Sequence, residues 1–337
     1  MDHDRSDFAA AHTARATEIP IIDIGAAQDR AGFSRVAKDI HTAATEVGFF
    51  YVSGHGINPS LMGRAFQVTR AFFDLPESEK ATIAVNSDQR GWMAQGMSTL
   101  DGARTHDLKE VFFWGREVAT NDPDLRAGKA LVAPNQWPDE VFPDLRRGVM
   151  PYYDAVCAVA LRVMSALAVS LYKPADFFEV AYERPLARGQ LVYYPPSTAT
   201  DEAEERFGVA PHTDFGVMTF LLQDDSGGLQ VRRRDGLWIE APPIPGTLVC
   251  NIGDLLQRWS NDRFTSTLHR VINRSGAARY SIPVFFDPHP DTIVDPSDFD
   301  IPASSSRYDP ISVGAHITRR NRKSFAQYRT SSAGNSD

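Results

Sequence analysis

Five polar side chains in the second half of the chain stand at spacings that suggest joint chemistry. His212 and Asp214 are two positions apart, His269 follows fifty-five positions after Asp214, and Arg279 and Ser281 come ten and twelve positions later. On an extended strand, residues i and i+2 share a face. The spacing therefore predicts an imidazole and a carboxylate side by side, with His269 closing the set from a later strand. Two histidines and one carboxylate on one face of a metal leave the opposite positions open, which suits non-haem Fe(II) that must take a co-substrate and O2. Catalytic zinc can use the same ligand types, so the triad alone leaves the metal open. Arg279 and Ser281 favour iron. They too stand at i and i+2, a guanidinium suits two-bond recognition of a carboxylate, and a hydroxyl adds a further donor. A buried arginine beside a metal needs an anion, and a dicarboxylate co-substrate would supply one. No GxGxxG, P-loop, HExxH or GxSxG motif competes with this set.

The elements that would position these residues change character along the chain. Residues 19–115 read as mixed α and β. Ile19–Ile24 is strand-like, and Phe33–Val47 carries apolar residues at helical spacing and stops at Gly48. Phe49–Val52 is rich in β-formers, and Asn58-Pro59 is a cap-and-proline signal for a helix to about Phe73. Residues 148–173 form a further long helix. From about Ala187, short β-rich runs follow one another: Gln190–Tyr194, Val217–Leu222, Gly228–Arg232, Leu237–Glu240, Thr247–Ile252, Thr267–Ile272 and Tyr280–Phe286. Turn residues separate them, a grammar that predicts an antiparallel sandwich or barrel, most simply a jelly roll. After Tyr308 a last helix should pack back on the core. Residues 1–17, the stretch STATDEAEE after Pro196 and the tail TSSAGNSD are expected to be disordered.

Composition agrees with an enzyme-sized globular chain. Of 337 residues, 42% are hydrophobic and 23% charged, which excludes wholesale disorder and fibrous architectures. A net charge of -8 argues against a general nucleic-acid binder. Two cysteines, Cys157 and Cys250, cannot build a disulfide framework, and no CxxC offers a zinc knuckle. The N-terminus has no apolar run behind a basic stretch, and Pro151–Tyr172 carries Asp154 and Arg162, so a packed helix is expected there and no membrane span. A cytoplasmic protein in a reducing compartment is the expectation.

The stretch from Tyr193-Tyr-Pro-Pro through HTDFG, LLQDDSGGLQV, PPIPGTLVCNIGD, RWSNDRFTSTLHRVIN and RYSIPVFFDP resembles the isopenicillin N synthase-like branch of the Fe(II)/2-oxoglutarate dioxygenases. The earlier runs IPIIDI, EVGFFYVSGHGI and FFDLP resemble the amino-terminal region of the same family, so the likeness extends over roughly residues 19–288. It implies a mainly β fold with α: a double-stranded β-helix (jelly-roll) core, an α/β N-terminal region and a C-terminal helix. The corresponding bounds are 19–118, 186–290 and 309–328. It further implies that His212, Asp214 and His269 ligate Fe(II), that Arg279 and Ser281 hold the distal carboxylate of 2-oxoglutarate, and that Tyr194 also reaches that co-substrate. The expected reaction uses O2, releases succinate and CO2, and hydroxylates, desaturates or cyclises a small molecule. Two positions depart from the plant members: Val192 stands where asparagine is frequent and Gln190 where arginine is frequent.

Around the site, Trp92, His106, Phe113 and Phe285 are the candidates for the substrate wall, set against a plain core role for Trp92, Phe113, Phe285 and Phe286. His55 reads as structural, His41 as a helix residue either exposed or partly packed, and Arg319-Arg-Asn-Arg-Lys323 as a solvated basic face. Three rival functions stay open on residues alone: a 2-oxoglutarate-independent oxidase of the same fold, a zinc hydrolase on a jelly roll, and a silent binding module.

Overall fold

The computed structural model describes residues 11–13, 18–99 and 105–324. Thirteen strands among these residues form two sheets. In chain order they are β1 Ala11–Thr13, β2 Ile21–Asp23, β3 Phe49–Ser53, β4 Gly91–Met93, β5 Glu110–Gly115 and β6 Leu186–Tyr194. They continue with β7 Val209–His212, β8 Met218–Gln223, β9 Leu229–Arg232 and β10 Trp238–Glu240. The last three are β11 Leu248–Ile252, β12 His269–Val271 and β13 Arg279–Asp287. The larger sheet runs β2-β3-β11-β8-β13-β6-β5-β4, and the smaller runs β1-β10-β9-β12-β7. Most pairings are antiparallel, as in the expected jelly roll, and β2–β3 and β1–β10 are parallel.

Strand β13 is the spine of the larger sheet. It pairs with β8 on one side and β6 on the other, placing Arg279 opposite Tyr194 and Ser281 opposite both Val192 and Gln223. Strand β12 does the same for the smaller sheet, and its register with β7 sets His269 directly opposite His212. Side chains of the two sheets that point toward each other enclose the site.

Helices cover the outer face of the larger sheet. Arg30–Glu46 is capped by Asp29, whose carboxylate accepts from the Gly32 amide, and Pro59–Phe73 by Asn58, which accepts from the Ser60 amide. The Asp144–Ser170 helix is apolar enough to span a bilayer by length and composition alone. It packs instead between those two helices, burying Leu145, Val149, Tyr152, Val156, Val163 and Leu167 completely. A packed helix was the expectation for this segment.

Three expectations need correction. STATDEAEE contains a short helix, Ala199–Ala203, because Thr198 and Asp201 form a reciprocal capping box. Within residues 1–17, Ala11–Thr13 is an edge strand on β10; the other residues of that segment and the tail TSSAGNSD lie outside the described residues. The basic run Arg319–Lys323 sits on the Val313–Ser324 helix, but only Arg319, Arg322 and Lys323 face solvent. Arg320 turns inward to Asp254 at 3.1 Å and lies over the Phe215 ring, and Asn321 is fully buried.

Candidate active site

Two imidazoles and a carboxylate converge between the sheets. His212 ends β7 and His269 begins β12, and their rings lie 4.2 Å apart, centroid to centroid. Asp214 is not on the strand with His212, as the i, i+2 reading assumed. It lies just past the strand's end, in the turn toward β8, and that turn carries its side chain to the same place. The Asp214 Oδ1 atom is 3.7 Å from His212 Nε2 and 3.6 Å from His269 Nε2. One ligand atom from each of the three falls within 4.8 Å of the others.

Each group is held so that the inward atom keeps its lone pair. The Nδ1–H groups of His212 and His269 donate to the Ala210 and Thr267 carbonyls, at 2.8 and 3.1 Å. A carbonyl can only accept, so in the neutral form of each ring Nε2 is the unprotonated nitrogen. Asp214 Oδ2 accepts from the Thr219 hydroxyl at 2.5 Å and from the Asn251 amide at 2.8 Å, which leaves Oδ1 toward the histidines. Phe49 packs edge-on against His269.

Electrostatics suit a cation. Burial and the neighbouring His269 push the His212 pKa down to about 3, so its imidazole is neutral at pH 7. Burial also opposes charge on His269, but the Asp214 carboxylate outweighs it and moves that pKa up. Burial would raise Asp214; the two imidazoles and the Asn251 amide overcome it and hold the carboxyl well below its usual range. A buried carboxylate beside two nitrogen lone pairs is the donor set of a divalent metal with positions left open.

A cavity of about 80 Å³ runs from the triad to Arg279, Ser281 and Tyr194. Arg279 is 1% exposed, and the structure gives it no carboxylate partner among the described residues. Its Nε donates to the Gly227 carbonyl at 2.6 Å, Nη2 reaches Gln223 at 3.5 Å, and Nη1 has no acceptor. The guanidinium lies over the Tyr194 ring at 4.7 Å. A buried, uncompensated cation is costly. An anion taken up beside it would neutralise the charge and pair the orphaned N–H. Leu221, Leu229, Val192 and Pro283 add apolar side chains to the same lining.

The substrate-wall candidates divide evenly. Phe113 and Phe285 line a second cavity that borders His212 and Asp214. Trp92 does not. It sits opposite Phe112 in the β4–β5 pairing, which puts it on the other face of the sheet from Phe113. Its indole donates to Glu110 at 2.9 Å, beside the Lys80 ammonium. His106 is half-buried near Gly96 and lines neither cavity. His55 accepts from the Ile57 amide and is structural, and Phe286 stacks on Tyr182 in the core. Cys250 is a fully buried strand residue.

Several site residues carry no mark in the sequence. Thr219 and Asn251 sit in apolar strands where nothing sets them apart until their partner is known. Lys109 lines both cavities and pairs with Asp107 at 3.0 Å, and Asp107 in turn accepts from the Ala210 amide beside His212. Two acidic-basic neighbours in Asp107-Leu-Lys109 could have signalled that pair. Gln190, noted only as a departure, faces both cavities.

Comparison with known proteins gives a consistent result. Residues 188–288 match the model of the 2OG-Fe(II) oxygenase superfamily, and residues 19–140 match that of the N-terminal region of the non-haem dioxygenase in morphine synthesis. A 2-oxoglutarate-Fe(II) type oxidoreductase, hxnY, of Emericella nidulans is 36% identical over 285 residues, 82% of this chain and 81% of that protein. A homoarginine-6-hydroxylase of Glycine max is 38% identical over 299 residues, covering 84% and 89%. Among solved structures, a full-length Neurospora crassa protein in complex with alpha-KG and thymine superposes with a TM-score of 0.78 at 29% identity, covering 90% of this chain and 96% of that one.

Proposed function

Since this chain belongs to the 2OG-Fe(II) oxygenase superfamily, we propose that it oxidises a small-molecule substrate with His212, Asp214 and His269 as the Fe(II) ligands and Arg279 and Ser281 as the clamp on 2-oxoglutarate. The chain is a 2-oxoglutarate- and Fe(II)-dependent oxygenase. The observation that carries the residue roles is the buried Arg279 guanidinium with no carboxylate partner among the described residues, joined by one cavity to the His/Asp/His set.

Iron held there, with 2-oxoglutarate and O2, supplies an oxidative decarboxylation to succinate and CO2 coupled to oxidation of a substrate C–H bond. The protein's own contributions are positional. Ala210 and Thr267 fix the tautomers, so in the neutral rings both Nε2 atoms are the ones turned to the metal position. Thr219 and Asn251 hold Asp214 in a single rotamer with one oxygen free. The Gly227 carbonyl and the Tyr194 ring fix the plane of Arg279, and Ser281, opposite Gln223 in the same sheet, offers a hydroxyl beside it. Hydroxylation is the expected outcome. A cytoplasmic setting is the matching reading for a chain whose two cysteines are unpaired.

The test is anaerobic titration of Fe(II)-loaded wild type and Arg279→Ala with 2-oxoglutarate, following the visible band of the complex. Charge-assisted hydrogen bonds contribute about 1.5–3 kcal/mol each, so the variant should bind at least tenfold more weakly while keeping its metal. Equal affinities would remove the clamp. Succinate formed in step with substrate oxidation separates this reading from an oxidase that uses no 2-oxoglutarate.

A further inference from the structure

A second cavity, of about 90 Å³, shares His212, Asp214, Lys109 and Gln190 with the co-substrate cavity but not Arg279. That is room for a ring-sized molecule. Phe113, Phe215 and Phe285 give it flat aromatic walls. Its charges are one-sided. Besides Asp214, the charged side chains on its lining are Arg188 and Lys109, both cationic.

The counter-charges stand behind the wall. Arg188 pairs with Asp287 at 3.0 Å and Lys109 with Asp107 at 3.0 Å, and neither aspartate is part of the lining. Asp287 is also committed to the Val217 amide, and Asp107 to the Ala210 amide and the Ser98 hydroxyl. Two buried N–H groups on lining side chains lack any acceptor among the described residues: Nε of Arg188, a residue 9% exposed, and Nδ2 of Asn321, a residue 1% exposed. Buried donors are ordinarily satisfied. Two orphans on side chains of one lining, beside the metal ligands, point to an acceptor that arrives with the substrate. The Arg188 guanidinium also lies 5.8 Å from the centre of the Phe285 ring, so donor and aromatic surface are adjacent.

We infer that the substrate is a compact planar acid: a single-ring molecule whose carboxylate is received by Arg188 and Asn321 while its ring lies against Phe113 and Phe285. This rests on the reading of His212 and Asp214 as iron ligands, which fixes the end of the cavity where oxidation occurs. A basic substrate would meet Arg188 and Lys109 with no carboxylate free to answer it among the described lining residues.

The experiment is calorimetric titration of the full chain, loaded with Mn(II) and 2-oxoglutarate, with three matched probes: benzoate, benzamide and benzylamine. Benzoate should bind at least tenfold more tightly than benzylamine, with benzamide between them. Asn321→Ala and Arg188→Lys should each weaken benzoate at least fivefold; lysine keeps a charge opposite Asp287, so the second variant avoids stranding a buried carboxylate. Benzylamine binding as well as benzoate, no benzoate binding, or unchanged benzoate affinity in both variants would overturn the inference. Titration of 2-oxoglutarate into the same Mn(II)-loaded proteins reports on Arg279 separately. Its failure would sink the proposed function, whereas normal 2-oxoglutarate binding with indifferent benzoate would sink this inference alone.

Discussion

Asp214 divides its two oxygens between different tasks, and the division is testable. Oδ2 accepts from Thr219 and Asn251, while Oδ1 faces the two imidazoles. Removing one partner that orients a metal ligand typically lowers metal affinity about 10–100-fold. Asn251→Ala should therefore weaken Mn(II) binding by that factor and leave the circular-dichroism spectrum unchanged; unaltered affinity in a spin-resonance titration would show that Asn251 does not orient the ligand. His269→Ala should abolish turnover outright, and near-normal succinate release from it would refute the triad. Legibility at this scale followed residue type. His212 with Asp214 and Arg279 with Ser281 stand out because polar residues recur there at i, i+2, although Asp214 reaches the site from the turn after β7. Asn251 and Thr219 do not, because each is a lone polar residue in an apolar strand whose partner is more than thirty or only five positions away, and no period links them to Asp214.

Strand parity decides which aromatic residues reach the cavities. Phe113 and Phe285 point inward, and Phe112 and Phe286 point to the other face. The sequence made β6, β8, β11 and β13 visible through runs of β-formers, and the main helices through their caps and apolar stripes. It hid β4 and β5. Gly91-Trp-Met93 is too short to alternate, and Glu110–Gly115 is apolar at four successive positions, so parity there cannot be read without the partner strand. That is why Trp92 was placed on the wrong side. The same pairing yields a prediction at Gly189 in β6, opposite Trp114 and Val284. A Cβ at this glycine would stand 2.3 Å from the Trp114 ring, well inside contact distance. Overpacking of this kind costs about 1–3 kcal/mol, so Gly189→Ala should lower the Tm by several degrees. A Tm equal to wild type would mean that Trp114 repacks without strain.

Across the molecule, ligand binding and folding stability are linked. A buried arginine with no carboxylate partner among the described residues and a buried carboxylate beside two imidazoles burden the ligand-free protein, and on the proposed roles the bound groups would offset both. A ligand at one hundred times its Kd stabilises by about 2.7 kcal/mol. Differential scanning calorimetry should show the Tm rising with Mn(II), and rising again with 2-oxoglutarate; in Arg279→Ala the first rise should persist and the second should largely vanish. If 2-oxoglutarate stabilised that variant as much as wild type, its anchor would lie elsewhere. The placement of the two ends has one more consequence. The histidines belong to the smaller sheet and Arg279 to the larger, so the gap between them is set by how the sheets pack, a spacing that side chains across the whole core enforce. With Arg279 in its proposed role, the barrel would be a ruler for its co-substrate: a 2-oxo acid would have to be long enough to touch both sheets and short enough not to buckle. 2-Oxoadipate, one methylene longer, should be decarboxylated at least tenfold more slowly than 2-oxoglutarate, and no single side-chain change at Arg279 should be able to reset that length.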